Sequence, residues 1–206
     1  MVQLKVSDMT SKTSQNTSNS NTWQDRQVLV AVTGGIACYK ACTLVSRLAQ
    51  QGAQVRVVMT SSATQFVTPL TFQSLSNQAV HTSLWEAVDR PDAQHIGLAR
   101  WAELVIIAPA TANMIAKAAN GICDDLVSTV LNATPQTTPV VFAPAMNADM
   151  WANPVTQRNV QTVQELLHWQ MVGPEEGWQA CRTLGAGRMS EPETILIQAE
   201  QVLTQK

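Results

Sequence analysis

The sequence predicts an α/β fold, a Rossmann-like or flavodoxin-like parallel sheet with helices on both faces. Three observations carry that prediction. First, short apolar runs rich in β-branched residues recur at residues 27–33, 54–59, 103–108 and 139–143. A run with no polar face belongs to a strand buried on both sides, as in a parallel sheet. Second, the stretches between these runs have helical length and periodicity, and strands alternating with helices build βαβ units. Third, the strand-to-helix turns are polar, as in Thr33-Gly34-Gly35, Thr60-Ser61-Ser62 and Thr111-Ala112-Asn113. Open α/β sheets bind ligands beyond the carboxyl ends of their strands, where such turns lie.

Taken in order, residues 1–24 are rich in Ser, Thr, Asn and Gln. They offer too little apolar surface to offset the entropy of ordering and read as a flexible polar tail, with a single domain over 25–206. Strand 27–33 passes through Gly34-Gly35 into a helix over 36–50, which Gly52 stops. Strand 54–59 leads through Thr60-Ser61-Ser62 into a helical stretch that reaches Phe66 and, after Pro69, Ser76. Val80 falls in a short third strand. Strand 103–108 precedes two helical segments, 114–119 and 124–132. Strand 139–143 is followed by a helix over 154–168, a short strand at 170–172, a Gly-rich loop over 173–190 and a last helix over 192–203.

Composition narrows the function classes. Of 206 residues, 45% are hydrophobic and 14% charged, which points to a large core or to subunit contacts. A net charge of −2 gives no electrostatic footprint for nucleic acid or an anionic membrane. No apolar run approaches the ~20 residues of a membrane-spanning helix, and the N-terminus lacks the basic-then-apolar pattern of a signal peptide. Cys38, Cys42, Cys123 and Cys181 have neither disulfide-framework nor zinc-site spacing, so no metal is expected and a reducing cytoplasm fits.

The stretch Ala143-Pro144-Ala145-Met146-Asn147-Ala148-Asp149-Met150-Trp151 leaves a strand and enters a helix. Asn147 is therefore expected at the ligand-binding edge of the sheet, where an amide can hold a ligand carboxylate; an Asn there also serves as a helix cap. Gly34-Gly35 opens a helix whose free N–H groups suit a phosphate, although it is neither the GxGxxG fingerprint nor a Walker loop. Three polar turns at one sheet edge suit a mononucleotide. His95 is a candidate proton carrier. In the Gly-rich loop, Cys181 offers a thiol on a mobile lid and Arg188 a partner for phosphate or carboxylate.

Several motifs occur in one order: Thr33-Gly34-Gly35-Ile36-Ala37-Cys38-Tyr39-Lys40, His95-Ile96, Pro109-Ala110-Thr111-Ala112-Asn113, Asp124-Asp125-Leu126, Pro144-Ala145-Met146-Asn147 with Met150-Trp151, and Ala180-Cys181 with Gly185-Ala186-Gly187-Arg188-Met189. Together, over about residues 28–189, they resemble the homo-oligomeric flavin-containing cysteine decarboxylases. The resemblance implies FMN held near Gly34, Gly35, Ile36, Thr60, Ser62, Thr111, Ala112, Asn113 and Met114. It implies His95 as the catalytic histidine, Asn147 with Met146 and Arg188 at the substrate, and Cys181 as a lid acid. It further implies a small-molecule substrate, 4′-phosphopantothenoylcysteine, decarboxylated to 4′-phosphopantetheine for coenzyme A, in a homo-oligomer built from trimers with sites between subunits. Two alternatives stay open, a peptidyl-cysteine decarboxylase of lantibiotic maturation and a non-enzymatic regulator on the same fold. One departure stands out: the family has Gly after the lid Cys, and this chain has Arg182. Many bacterial relatives also continue into a synthetase domain, an activity expected to reside elsewhere.

Overall fold

A computed structural model describes residues 21–85 and 94–205. Six strands, β1 (Gln27–Val32), β2 (Gln54–Met59), β3 (Val80–His81), β4 (Leu104–Ala110), β5 (Val140–Pro144) and β6 (Gln170–Met171), form one sheet in the order β3-β2-β1-β4-β5-β6. Every pairing is parallel. This is the doubly wound order of a Rossmann sheet, and its direction of winding reverses between β1 and β4. The predicted fold class is the observed one.

Alternation along the central strands divides the core in two. Val28, Val30, Val32, Leu104 and Ile106 face α1 (Cys38–Gln50), α2 (Pro69–Ser76) and α8 (Pro192–Thr204). Leu29, Ala31, Val105 and Ile107 face α3 (Gln94–Trp101), α4 (Ala112–Ala119), α5 (Leu126–Ala133) and α7 (Pro154–Glu165). All of these strand residues are buried, which is why their runs carry no polar alternation.

The structure departs from the sequence reading in five places. The Gly-rich stretch is not a simple loop: β7 (Glu175–Trp178) and β8 (Leu184–Arg188) pair as an antiparallel hairpin. Three of its nine strand residues are glycine, and glycine hides a strand signal that depends on packed side chains. A short helix, α6 (Ala148–Ala152), precedes Asn153-Pro154, and α7 stops at Glu165, before His168 takes a left-handed φ of 55°. The first helix starts at Cys38, leaving Ile36 and Ala37 in the turn. Helix α3, which carries His95, had no sequence signal strong enough to assign. Finally, the packed chain begins before residue 25. Trp23 is buried in the first core, and Asn21 Nδ2 donates to Gln51 O, so composition set the tail boundary too late. Residues 1–20 of the expected tail lie outside the described ones.

Candidate active site

The reversal of winding between β1 and β4 leaves a crevice at the carboxyl edge of the sheet, where adjacent helices run off in opposite directions. The three polar turns meet there. Thr33, after β1, is buried and places its hydroxyl 2.6 Å from Pro109 O and 3.1 Å from Thr111 Oγ1, while accepting from Thr111 N at 3.1 Å. Thr111 in turn caps α4, accepting from Met114 N at 3.3 Å. The turn after β2 presses on the first: a Cβ on Gly34 would lie 2.3 Å from Ser62 Cβ and 2.8 Å from its carbonyl carbon. Only glycine lets these turns touch. They wall a cavity of about 520 Å3, which also reaches Asn113, Met114, Met146 and Met150.

At the far wall of this cavity stands a charge cluster that the site reading did not assign. Lys117 Nζ lies 2.6 Å from Asp124 Oδ1 and 2.5 Å from Asp125 Oδ2. Burial pulls the Lys117 pKa down, but hydrogen bonds to both carboxylates outweigh it and hold it above the ordinary lysine value. The same bond holds Asp124 below the usual carboxylate range. Asp125 also caps α5 through a capping box with Ser128, so Lys117 ties the cavity wall to the start of that helix. The pair Asp124-Asp125 was visible as part of a family motif; Lys117 one helical stretch away carried no signal of its own.

A second cavity, of about 490 Å3, adjoins the first across Ala145 and Met146. It is lined by Gly35, Ile36 and Lys40 on one side, Asn147 on another, and the hairpin residues Cys181 and Arg188. Gly34, Thr60, Ser62, Thr111, Ala112, Asn113 and Met114 thus line the first cavity, whereas Gly35 and Ile36 line the second. Asn147 is a helix cap, one of its two expected uses. Its Oδ1 caps α6, accepting from Met150 N at 2.9 Å, and its Nδ2 makes a long contact, 3.5 Å, with Asp149. The amide therefore keeps donor capacity at the cavity wall.

The hairpin lies directly on the 146–148 segment. Met146 N donates to Gly187 O at 2.9 Å. Gly187 has a φ of +127°, and a Cβ there would lie 2.4 Å from Met146 O, so this contact requires glycine. Cys181, at the exposed tip, has its Sγ 3.0 Å from Thr183 Oγ1 and 3.5 Å from Gln179 Oε1. The next residue, Arg182, has a left-handed φ of 64°, which is the conformation a glycine there would take freely. Arg188 reaches the cavity already paired: its Nη2 lies 3.0 Å from Glu175 and 2.9 Å from Glu191. Lys40, buried, donates to Met189 O at 2.7 Å and pairs with Glu191 at 3.0 Å. These two cations and two carboxylates balance, so the base of the hairpin presents little net charge to a ligand.

His95 lines neither cavity. It sits half-buried on the first turn of α3, beside Gln94, whose Nε2 lies 2.8 Å from His81 Nδ1 at the end of β3. It is thus at the same sheet edge, but beyond β2. Cys38 and Cys42 lie along α1, and burial pushes both thiols up, which suits packing rather than nucleophilic work. Among the described residues no group of three His, Cys, Asp or Glu side chains is placed to hold a metal ion, and no helix is long and apolar enough to cross a membrane.

Comparison with known proteins agrees with this geometry. The chain matches the Flavoprotein family over residues 16–203. It is 48% identical over 177 residues to the coenzyme A biosynthesis bifunctional protein CoaBC of Bacillus subtilis, covering 86% of this chain and 43% of that protein. The chain therefore spans less than half the length of that relative. Among solved structures, a PPC decarboxylase mutant complexed with pantothenoylaminoethenethiol superimposes with a TM-score of 0.76 at 32% identity, over 89% of this chain and 100% of that one. The FMN binding protein AtHal3 does so at 0.77 and 31%, over 89% and 99%.

Proposed function

The chain belongs to the Flavoprotein family, and from that premise we propose that it binds FMN and decarboxylates 4′-phosphopantothenoylcysteine to 4′-phosphopantetheine, a step of coenzyme A biosynthesis. The observation that carries the reading is the pair of cavities meeting at Met146. One is a glycine-floored cradle ringed by hydroxyls and turn N–H groups; the other is lined by both Asn147 and Cys181.

The first cavity fits FMN on its own terms. Its size lies within the roughly 300–1,000 Å3 of small-molecule sites. The Gly34 turn admits no side chain, and Thr111 opens α4 at its positive end, where a phosphate is favoured. Gly34, Ser62, Thr111, Ala112 and Asn113 would hold the cofactor there. Bound there, FMN would supply reversible two-electron redox chemistry at the thiol-bearing carbon, so that no outside oxidant would be consumed.

That chemistry explains the residues of the second cavity. An amide-linked carboxylate has nowhere to place the electron pair left by departing CO2; a thioaldehyde at the neighbouring carbon provides the sink. The Asn147 amide, with donor capacity left over from capping, orients the carboxylate. The docked hairpin screens the reacting carbon from water. Cys181 gives the proton that completes reduction of the enethiol. A peptidyl-cysteine decarboxylase that releases the enethiol needs no such acid, so the thiol on this wall favours the reductive outcome.

His95 stands off both cavities of its own chain. We therefore place it in the site of a neighbouring subunit, in a trimer or a multiple of trimers. Exposed Ile36, Tyr39 and Trp178 at the second cavity give that assembly an apolar surface to cover. The free thiols of Cys38, Cys42, Cys123 and Cys181 suit a cytoplasmic setting. The test is direct. The purified protein should show flavin absorption, release FMN on denaturation, and yield CO2 and 4′-phosphopantetheine from 4′-phosphopantothenoylcysteine. Protein that neither carries nor takes up FMN, or that leaves this substrate intact, ends the reading.

A further inference from the structure

One buried side chain ties the tip of the hairpin to the Asn147 turn. Gln179 is 6% exposed, the one buried polar residue of the hairpin tip, and all of its polar atoms are used. Its Oε1 accepts from Ala148 N at 3.1 Å, the amide next to Asn147, and lies 3.5 Å from Cys181 Sγ. Its Nε2 donates to Ala186 O at 2.9 Å and reaches Gly185 O at 3.5 Å. Its backbone N donates to Thr183 O and its carbonyl accepts from Arg182 N, both at 2.9 Å, closing the tip. One amide thus joins the tip that carries the thiol, strand β8, and the turn that carries Asn147.

The fit around it is close. A Cβ on Gly185 would lie 2.7 Å from Ala148 Cβ, and one on Gly187 would lie 3.1 Å from Gln179 Nε2. The hairpin can sit here in one way. A buried amide with every partner satisfied specifies that arrangement, because any shift leaves polar atoms unpaired in a dry contact.

We propose that Gln179 is the positioning residue of the site: it holds the Cys181 thiol against the Asn147 turn, and so decides whether the enethiol is reduced before it leaves. The proposal rests on the functional reading above. In the full reaction the substrate gives up two hydrogens to the flavin, loses CO2, and as the enethiol takes back a hydride equivalent and one proton, the latter from Cys181. With the thiol out of place the last two transfers fail. The enethiol then departs, two hydrogens short of 4′-phosphopantetheine, and those hydrogens stay with the flavin. Without an added oxidant the site then turns over about once.

The test uses the full-length FMN-loaded protein and the variant Gln179→Met, which keeps length and volume but loses every side-chain bond. Gln179→Glu keeps the acceptor towards Ala148 while setting a carboxylate against the Ala186 and Gly185 carbonyls. Two readouts are needed. Amide exchange over 146–150 and 176–188 should quicken by roughly five- to tenfold in both variants, as the loss of a hydrogen bond worth about 1 kcal/mol implies. Under anaerobic conditions CO2 release in the first turnover should proceed as in wild type, while mass spectrometry shows the enethiol as the main product. Because Gln179 acts through the thiol, adding Gln179→Met to Cys181→Ser should leave the product split of Cys181→Ser unchanged. Unchanged exchange in both variants overturns the docking role. An enethiol share no higher than wild type, or a double variant worse than Cys181→Ser alone, overturns the positioning role. Failure of the wild type to release CO2 from the substrate sinks the functional reading instead, and exchange still judges the docking.

Discussion

The two cavities meet at Ala145 and Met146, yet their walls are built differently. The cradle between β1 and β4 is made of the sheet itself: its turns are continuous with buried strands, and Thr33 and Thr111 bond to each other and to the backbone across the gap. The lid side is a two-stranded hairpin, an element too small to be stable alone, held down by the Met146–Gly187 bond, by Gln179, and by ion pairs at its base. Stiffness thus sits where a cofactor must be gripped. The group proposed to move a proton sits on the small hairpin, held by a few contacts.

The cradle should be broken by the smallest intrusion. Gly34→Val sets methyl groups where Ser62 Cβ already stands 2.3 Å from the first added carbon and the Ser62 backbone is behind it. No rotamer escapes that clash. The variant should lose flavin binding by tenfold or more, read as flavin-to-protein ratio after gel filtration, while exchange over the hairpin stays as in wild type. Full flavin occupancy in Gly34→Val would move the cofactor elsewhere. Next in size comes Lys117→Met, which leaves Asp124 and Asp125 facing each other at the cavity wall without a cation. It should lower Tm by roughly 5 °C, given about 2–4 °C per kcal/mol for a domain of this size. An unchanged Tm would mean that the Lys117 bonds to Asp124 and Asp125 do not hold the start of α5 in place.

The same contrast decided what the sequence made legible. The cradle announced itself because β-branched runs, glycine and hydroxyl residues punctuate a strand–turn–helix unit in a fixed order; strand β2 was read to the residue. The hairpin did not, because Gly185 and Gly187 are there for close approach to Ala148 and Met146, and contacts made by missing side chains leave no pattern in a single sequence. Gln179 carries no sequence signal either: its worth comes from four partners far apart in type and partly in sequence. Asn147 was read as a ligand group or a cap, and it is a cap with donors to spare. His95 stands out as a residue type, but that it lines neither cavity belongs to tertiary structure alone.

Acid should loosen the lid. Burial raises the Glu175 pKa, but hydrogen bonds from Arg188 and from the Glu191 amide outweigh it and leave the carboxyl below its ordinary value. A depressed carboxylate adds stability that is fully present above the unfolded value, near ~4.3, and is lost as pH falls through the folded one. Glu175→Gln imitates the protonated form at neutral pH. It should speed amide exchange over β7 and β8 by a few-fold, consistent with a half-exposed pair worth less than about 1 kcal/mol, and leave the flavin ratio unchanged. The gap between wild type and variant should close as pH is lowered towards 3. A gap that persists there would mean that Arg188 holds the hairpin by packing, not by charge.

The smallest effect is expected at Arg182, where the resemblance implies a glycine. A side chain with φ near +64° costs roughly 1–2 kcal/mol relative to the right-handed region, and glycine removes that cost. Glycine also gives the unfolded chain more freedom, which returns roughly 0.5–1 kcal/mol. The two nearly cancel, so Arg182→Gly should raise Tm by no more than about 3 °C. What it should change is the tip: with the strain gone and the backbone freer, exchange at 180–183 should rise even though global stability does not fall. Arg182→Val keeps the cost and adds β-branching, so it should lower Tm and show which part is conformational. If Arg182→Gly instead lowers Tm by several degrees, the guanidinium must hold the tip by a contact of its own. Arginine would then replace the family's glycine as an anchor for the lid, not as a tolerated strain beside its thiol.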